Sequence, residues 1–282
     1  MKLLRFGPAG QEKPGFLDQQ GGVRDLSGLL ADFTPETLAP ESLDVLRAID
    51  PMMLPLVGET ARFGVPVSGV RKFIGVGLNY LDHALESGQP VPNEPVLFPK
   101  WTSCLSGPND SIRPPPDACK LDWEVELALV VGRQARNVAQ ADALSFLAGY
   151  ALANDVSERW YQKDRSGGQW GKGKGFDTFG PVGPYLVTAD EVTDPQNLRL
   201  WLTVNGERMQ DGHTSKMIFS CAFLVSYCSR VMTLEPGDII LTGTPPGVGM
   251  GMNPPRYLQP GDVVELGIDG LGRQRQVVSP PL

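Results

Sequence analysis

The stretch Leu121–Gly132, LDWEVELALVVG, constrains the fold of this chain more than any other. Read as a strand, it points residues two apart to one face, so Glu124 and Glu126 project side by side. Asp122 shares their face, while Trp123, Val125, Leu127 and Leu129 fill the other. Carboxylates held this close raise each other's pKa unless a positive charge lies between them. A divalent cation is the usual remedy, and carboxylates suit the hard ions Mg²⁺, Mn²⁺ or Ca²⁺. The same pattern also describes an edge strand whose acidic side faces water, and these residues alone leave both readings open.

Composition narrows the partners. A length of 282 residues allows one large domain with a smaller appendage. The net charge of −7 argues against nucleic acid or an anionic membrane surface as the main partner. The start, MKLLRFGPAG, has no apolar region of secretory type, and no apolar stretch approaches the length of a membrane span. Cys104, Cys119, Cys221 and Cys228 form no CxxC pair, so they read as structural thiols in a reducing cytoplasm. With only His83 and His213, a histidine-ligated zinc site is disfavoured. The 33 glycines and 26 prolines are spread between short apolar runs, the pattern of a β-rich fold with tight connections.

Along the chain, residues 1–69 read as a small α+β domain and residues 70–282 as the main domain. The first contains a strand at Met1–Gly7, a hairpin from Gly15–Asp18 and Gly22–Leu26, a helix over Leu38–Ile49, and a linker at Gly64–Gly69. In the second, Lys72–Gly77 reads as a strand and Asn79–Ser87 as a helix. Ala139–Ala153 carries the strongest helical pattern of the chain and leads directly to Asp155. Strands follow at Val182–Val187, Leu198–Val204 and Glu207–Met209, the last two joined by Asn205-Gly206, a hairpin signal. A helix over Ser215–Cys228 and strands at Asp238–Thr242 and Val263–Ile268 complete the pattern.

Several residues carry possible chemistry. Gly168–Lys174 fits a phosphate-binding loop only in part, because Gly175 stands where a Mg²⁺-binding hydroxyl is needed. Asp155, in a connection that returns beside the acidic strand, supplies either a third metal-binding carboxylate or a local turn. His83 and Glu86, three apart on a helix, form either a general-base dyad or an incidental surface pair. Lys174, in a glycine-flanked loop, could hold an anionic oxygen. Thr242–Gly247 (TGTPPG) ends a strand with hydroxyls and free amides suited to a carboxylate, and equally to a plain turn. His213 reads as structural.

Taken in order, NYLDHALE, DWEVELALVVG, NDVSERWYQ, GKGFDTFGPVGP, VNGERMQDG and LTGTPPGVG closely resemble the fumarylacetoacetate hydrolase family over roughly Lys72–Ile268. The resemblance implies a β-rich roll or sandwich with a small N-terminal domain, in a homodimer or higher homo-oligomer. It places the family's metal ligands on Glu124, Glu126 and Asp155, and its His–Glu dyad on His83 and Glu86. Its substrate lysine falls on Lys174, its substrate glutamine on Gln162, and its carboxylate-binding threonine on Thr244. Arg159 matches a position expected to brace the Asp155 loop. The implied cofactor is Mg²⁺, with Mn²⁺ or Ca²⁺ as substitutes. The implied reaction is hydrolysis of a carbon–carbon bond in a 2,4-diketo acid, with decarboxylation or isomerisation of a related keto acid as the rival. A metal-binding protein without catalysis is the rival from another class, although none of the expected residues is missing. The N-terminal stretch is similar to bacterial members acting on 2,4-diketo-3-deoxy sugar acids.

Overall fold

The computed structural model describes residues 1–58, 61–86, 88 and 90–281. Its strands are β1 (Lys2–Phe6), β2 (Lys13–Leu17), β3 (Val23–Asp25), β4 (Phe73–Gly77), β5 (Val96–Lys100), β6 (Leu105–Ser106), β7 (Leu121–Asp122), β8 (Val125–Val131) and β9 (Leu147–Asn154). They continue as β10 (Ser157–Glu158), β11 (Gly180–Pro181), β12 (Leu186–Thr188), β13 (Arg199–Val204), β14 (Glu207–His213), β15 (Ile239–Leu241), β16 (Val263–Ile268) and β17 (Gly272–Val277). The helices α1 (Pro40–Arg47), α2 (Leu81–Glu86), α3 (Gly171–Lys174) and α4 (Cys221–Val231) are short, and Trp160–Asp164 forms a π-helical turn. No helix among the described residues is long and apolar enough to cross a membrane.

A nine-stranded sheet runs β3-β2-β1-β12-β9-β8-β15-β4-β5, antiparallel except between β15 and β4. A second sheet, β14-β13-β16-β17, packs over β8 and β9. The result is the expected α+β, β-rich architecture. At its centre, β8 lies between β9 and β15 with every residue buried. A strand covered on both faces needs a continuous apolar run, which Leu127–Val131 supplies. The solvated-edge reading of this stretch is therefore excluded. The acidic strand is also interrupted, since Trp123 and Glu124 fall between β7 and β8.

The helix expected over Ala139–Ala153 is not formed. Gln140–Phe146 is a 3₁₀ segment, and Leu147–Asn154 is β9, paired with β8 on one side and β12 on the other. Asp155 consequently follows a strand. Two reasons account for the difference. All eight residues of β9 are buried, so no alternation marks the strand in sequence. Helix propensity is worth at most about 0.7 kcal/mol per ordinary residue, less than hydrogen-bond ladders and burial on both edges contribute. Gly149 lets β12 approach closely, for a Cβ there would stand 2.0 Å from the Val187 carbonyl oxygen.

Smaller differences have local causes. The helix expected over Ser215–Cys228 begins only at Cys221, where the Ser220 hydroxyl caps it by accepting from the Phe223 N–H. Within Asn79–Ser87, α2 spans Leu81–Glu86, and Ser87 lies outside the described residues. Strand β14 runs on to His213, past the expected Met209. Strand β17 was not foreseen because two of its inward residues are the buried Gln274 and Gln276 rather than apolar ones.

The strands of residues 1–69 extend the same sheet, since β1 pairs with β12. The Gly64–Gly69 segment bonds back to this part, with the Gly64 N–H donating to the Arg5 carbonyl and the Ser68 N–H to that of Phe33, each at 2.8 Å.

Candidate active site

The β8–β9 register places Val125 opposite Asn154, so the neighbouring acids meet at one end of the sheet. The Asp155 N–H donates to the Glu124 carbonyl at 2.9 Å, and the Asn154 side-chain oxygen accepts from the Glu124 N–H at 3.1 Å. One oxygen each from Glu124, Glu126 and Asp155 lies within 4.8 Å of the others, and all three residues are buried. Asn154 is held in turn by donating to Gln276 at 3.1 Å, which gives the polar inner face of β17 a purpose.

Buried cations surround this triad. The Lys174 ammonium donates to Glu124 Oε2 at 2.6 Å and to Asp155 Oδ2 at 2.7 Å. Lys100 donates to Asp155 Oδ1 at 2.6 Å, to the Phe179 carbonyl at 3.0 Å, and to the Lys174 carbonyl. Arg159 donates through Nε to Asp122 at 2.8 Å and through Nη1 to Gln162 at 2.9 Å. Its Nη2 lies 2.7 Å from Glu124 Oε1, close enough for an ion pair but out of line for a hydrogen bond. Arg159 therefore braces Asp122, Glu124 and Gln162, not the Asp155 loop as expected from the sequence.

The carboxylates respond differently to this setting. Burial opposes ionisation of Glu124, yet Lys174 and then Arg159 outweigh it and hold the group well below its usual range. Burial raises the Glu126 pKa, and the charges of Asp155 and Glu124 push it further up. Glu126 accepts from the Gly243 N–H at 2.7 Å but has no ion-pair partner among the described residues. A buried carboxylate facing two others is short of positive charge, and three oxygen donors at this spacing fit a hard divalent cation.

The Gly77–Asn79 turn directs α2 over the triad. Asn79 is fully buried and donates to the carbonyls of Thr242 and Phe219, at 2.7 and 3.0 Å. On α2, buried His83 turns Nδ1 to Glu86 Oε2 at 3.3 Å. Glu86 also accepts from the Gly247 N–H at 3.0 Å, which locks helix and TGTPPG loop together. Asp122 has a comparable structural task, accepting from the N–H groups of Gly249 and Met250 at 2.7 and 3.0 Å. The Thr244 hydroxyl donates to the Val125 carbonyl at 2.9 Å and accepts from Gln210 at 2.7 Å.

His83, Glu124, Glu126, Gln162, Lys174 and Thr244 all line one pocket, with free space of only about 20 Å³. A far larger cleft of about 670 Å³ beside Phe219 and Phe223 contains none of them. The tight pocket is the chemically furnished one. His213 stands apart and bonds Ser215 at 2.8 Å. The sequence reading missed Lys100 and Gln210. The only signal for Lys100 was a lone lysine within an otherwise apolar run, Val96–Trp101.

The profile of the fumarylacetoacetate (FAA) hydrolase C-terminal region matches residues 72–279. The chain belongs to the fumarylacetoacetate hydrolase family. A protein of Burkholderia cenocepacia, whose name offers no more than an unconfirmed hydrolase, is 59% identical over 277 residues, covering 98% of each chain. Among solved structures, the maleylpyruvate hydrolase of a Sphingobium species, in complex with manganese(II) and pyruvate, is 29% identical with a TM-score of 0.83, covering 100% of both chains. The 2-hydroxyhepta-2,4-diene-1,7-dioate isomerase of Mycobacterium marinum is 34% identical with a TM-score of 0.74, covering 99% of this chain and 98% of the other. Family members thus include hydrolases and isomerases, and this chain carries an acidic triad able to hold a divalent metal.

Proposed function

We propose that the protein hydrolyses the C3–C4 bond of a 2,4-diketo acid (an acylpyruvate), releasing pyruvate and a second carboxylic acid. The observation that carries this reading is the pairing of His83 with Glu86, His83 lining the same pocket as Glu124 and Glu126 of the acidic triad. Those three carboxylates would hold Mg²⁺ or Mn²⁺. When bound, the cation supplies Lewis acidity toward the keto-acid end of the substrate.

The remaining steps belong to side chains. With Nδ1 donating to Glu86, the His83 ring presents Nε2 as a base that takes a proton from water. The hydroxide oxygen adds to the C4 carbonyl, the C3–C4 bond breaks, and its electron pair passes into the C2 carbonyl as an enolate. The protonated imidazole returns its proton to C3, giving pyruvate, and the new acid ionises. Lys174 and Gln162 hold the developing negative charge at the keto-acid end. The Thr244 hydroxyl is already committed, so its backbone N–H is the group available to the substrate carboxylate.

Charge balance supports an anionic substrate. Asp122, Glu124, Glu126 and Asp155 face Lys100, Arg159 and Lys174, leaving one negative charge if all are ionised. A divalent ion turns this into one positive charge, which a 2-keto carboxylate neutralises.

The N-terminal stretch favours a sugar-acid substrate, 2,4-didehydro-3-deoxy-L-rhamnonate, which would give pyruvate and L-lactate. The isomerase relative supports a rival in which the same site only shifts protons on a related keto acid. Incubation of the metal-loaded protein with this diketo acid, acetylpyruvate and oxaloacetate, assaying pyruvate and the second product, tests the proposal. Pyruvate plus a carboxylic acid is the expected result. Release of carbon dioxide from oxaloacetate without diketo-acid cleavage would overturn it. We also propose a homodimer or higher homo-oligomer, which sedimentation equilibrium would reveal as a mass at least twice that of the chain.

A further inference from the structure

The TGTPPG loop serves the pocket at three points. The Gly243 N–H donates to Glu126, Thr244 lines the pocket, and the Gly247 N–H donates to Glu86. Strand β15 ends at Leu241, so residues 243–247 lie beyond the sheet ladder and must be held from elsewhere. Strand β14 of the second sheet presses directly on them. A Cβ on Gly247 would stand 1.9 Å from the Met209 carbonyl oxygen, and one on Gly212 would stand 2.4 Å from Pro245 Cβ. Both contacts need backbone without a side chain, and Gln210 lies between Met209 and Gly212.

Gln210 is fully buried, and its side chain joins this loop to β8. Its oxygen accepts from the Val125 N–H at 3.0 Å. Its nitrogen donates to the Thr244 hydroxyl at 2.7 Å and to the Pro245 carbonyl at 2.8 Å, which uses both amide hydrogens. The Thr244 hydroxyl donates in turn to the Val125 carbonyl. A closed ring of hydrogen bonds therefore links Thr244 to Val125, the residue between Glu124 and Glu126. Leaving any of these buried groups unpaired is costly, so the loop follows Gln210. Gln210 is not among the described residues that line the pocket. Any effect it has on a ligand passes through Thr244 and Pro245.

We propose that Gln210 is a positioning residue through which the second sheet sets the Thr244 N–H where the carboxylate of a keto acid is held. This deepens the acylpyruvate reading and rests on it for the role of that N–H. The triad is placed by other means. The β8–β9 register, Lys174 and Arg159 fix Glu124 and Asp155, and Glu126 is part of β8 itself. Loss of Gln210 should therefore weaken the ligand without weakening the metal, a split that general loosening of the fold would not produce.

Pyruvate, the product expected from the keto-acid end, is the probe. Titration calorimetry on the Mn²⁺-loaded protein reads its affinity, and Mn²⁺ titration of the metal-free protein reads that of the triad. Gln210→Leu should weaken pyruvate by about tenfold or more and Mn²⁺ by less than about threefold. Gln210→Glu keeps an oxygen for the Val125 N–H but loses the amide donors. It should show the same split, and it decides the outcome if the leucine variant does not fold. Thr244→Val, combined with Gln210→Leu, should cost less than the product of the two single losses, as expected of residues acting through one contact. Pyruvate affinity within about twofold of the wild type in a folded variant, equal losses of pyruvate and Mn²⁺, or fully multiplicative losses in the double variant would overturn the inference. Wild-type binding of pyruvate with unaffected variants removes only the role of Gln210. A Mn²⁺-loaded wild type that does not bind pyruvate removes the keto-acid reading, and the inference with it.

Discussion

At the scale of residues, the site divides into groups that line the pocket and groups that hold them. Replacing His83 by Ala removes the proposed base and should lower turnover by about 10²–10⁴-fold, the usual contribution of a positioned acid–base group. Metal affinity, followed by Mn²⁺ titration, should stay within about twofold, because His83 contributes no oxygen to the triad. Unchanged turnover would take the dyad out of the mechanism. Glu126→Gln should behave differently, because it removes one charge from the proposed metal-binding triad. Metal binding should weaken at least tenfold with activity falling in step, and a variant that binds Mn²⁺ normally would show that Glu126 is not a ligand. Glu124, Glu126, Asp155, His83 and Glu86 were legible in sequence because short spacings and motif order carry them. Lys100 was not. A lysine in an apolar run looks like an exposed end, and only the fold shows its ammonium between Asp155 and two carbonyls.

At the scale of elements, β8 and β9 form the platform, and their pairing makes three carboxylates neighbours. Gly149 is where that pairing is most sensitive to volume. Gly149→Val would set a side chain against the Val187 carbonyl, where even a Cβ has only 2.0 Å. We expect a loss of at least about 3 kcal/mol in urea unfolding, the range of severe overpacking in a core. A loss below about 1 kcal/mol would mean that β12 can move away at little cost. The strand character of β9 was hidden in sequence for the same reason that it is stable. Complete burial on both faces erases the alternation that marks a strand, and Ala and Leu remain good helix formers. Strand β17 shows the converse, since buried glutamines bonded to Leu152, Gly183, Pro108 and Asn154 do not look like a core face.

At the scale of the whole molecule, the N-terminal part is joined to the rest by strand pairing and by charge. Arg47 on α1 meets Asp190 at 2.8 Å. Burial opposes ionisation of Asp190, but hydrogen bonds from Arg47 and Thr188 and the N-terminal ammonium outweigh it and bring the pKa down to about 2. A depressed carboxylate contributes stability that is present above its unfolded pKa and is lost as pH falls through the folded value. The contribution should therefore be complete above about pH 4 and fade between about pH 4 and pH 2. Because the carboxylate is 46% exposed, solvent screening reduces its worth to about 1 kcal/mol. Thermal unfolding of Asp190→Asn should fall below that of the wild type at pH 6, and the two should converge at pH 2. A gap that persists at pH 2 would assign the effect to packing instead.

The sequence by itself determined the family, the β-rich class and the positions able to carry chemistry, because these depend on residue types at short spacing. Only the tertiary structure decided that the acidic stretch lies at the centre of a sheet and not at its edge. It also decided that Arg159 braces Asp122 and Glu124, and that Lys163 lines the pocket with no ion-pair partner among the described residues. Those outcomes depend on burial and on contacts between residues far apart in the chain, and local periodicity records neither.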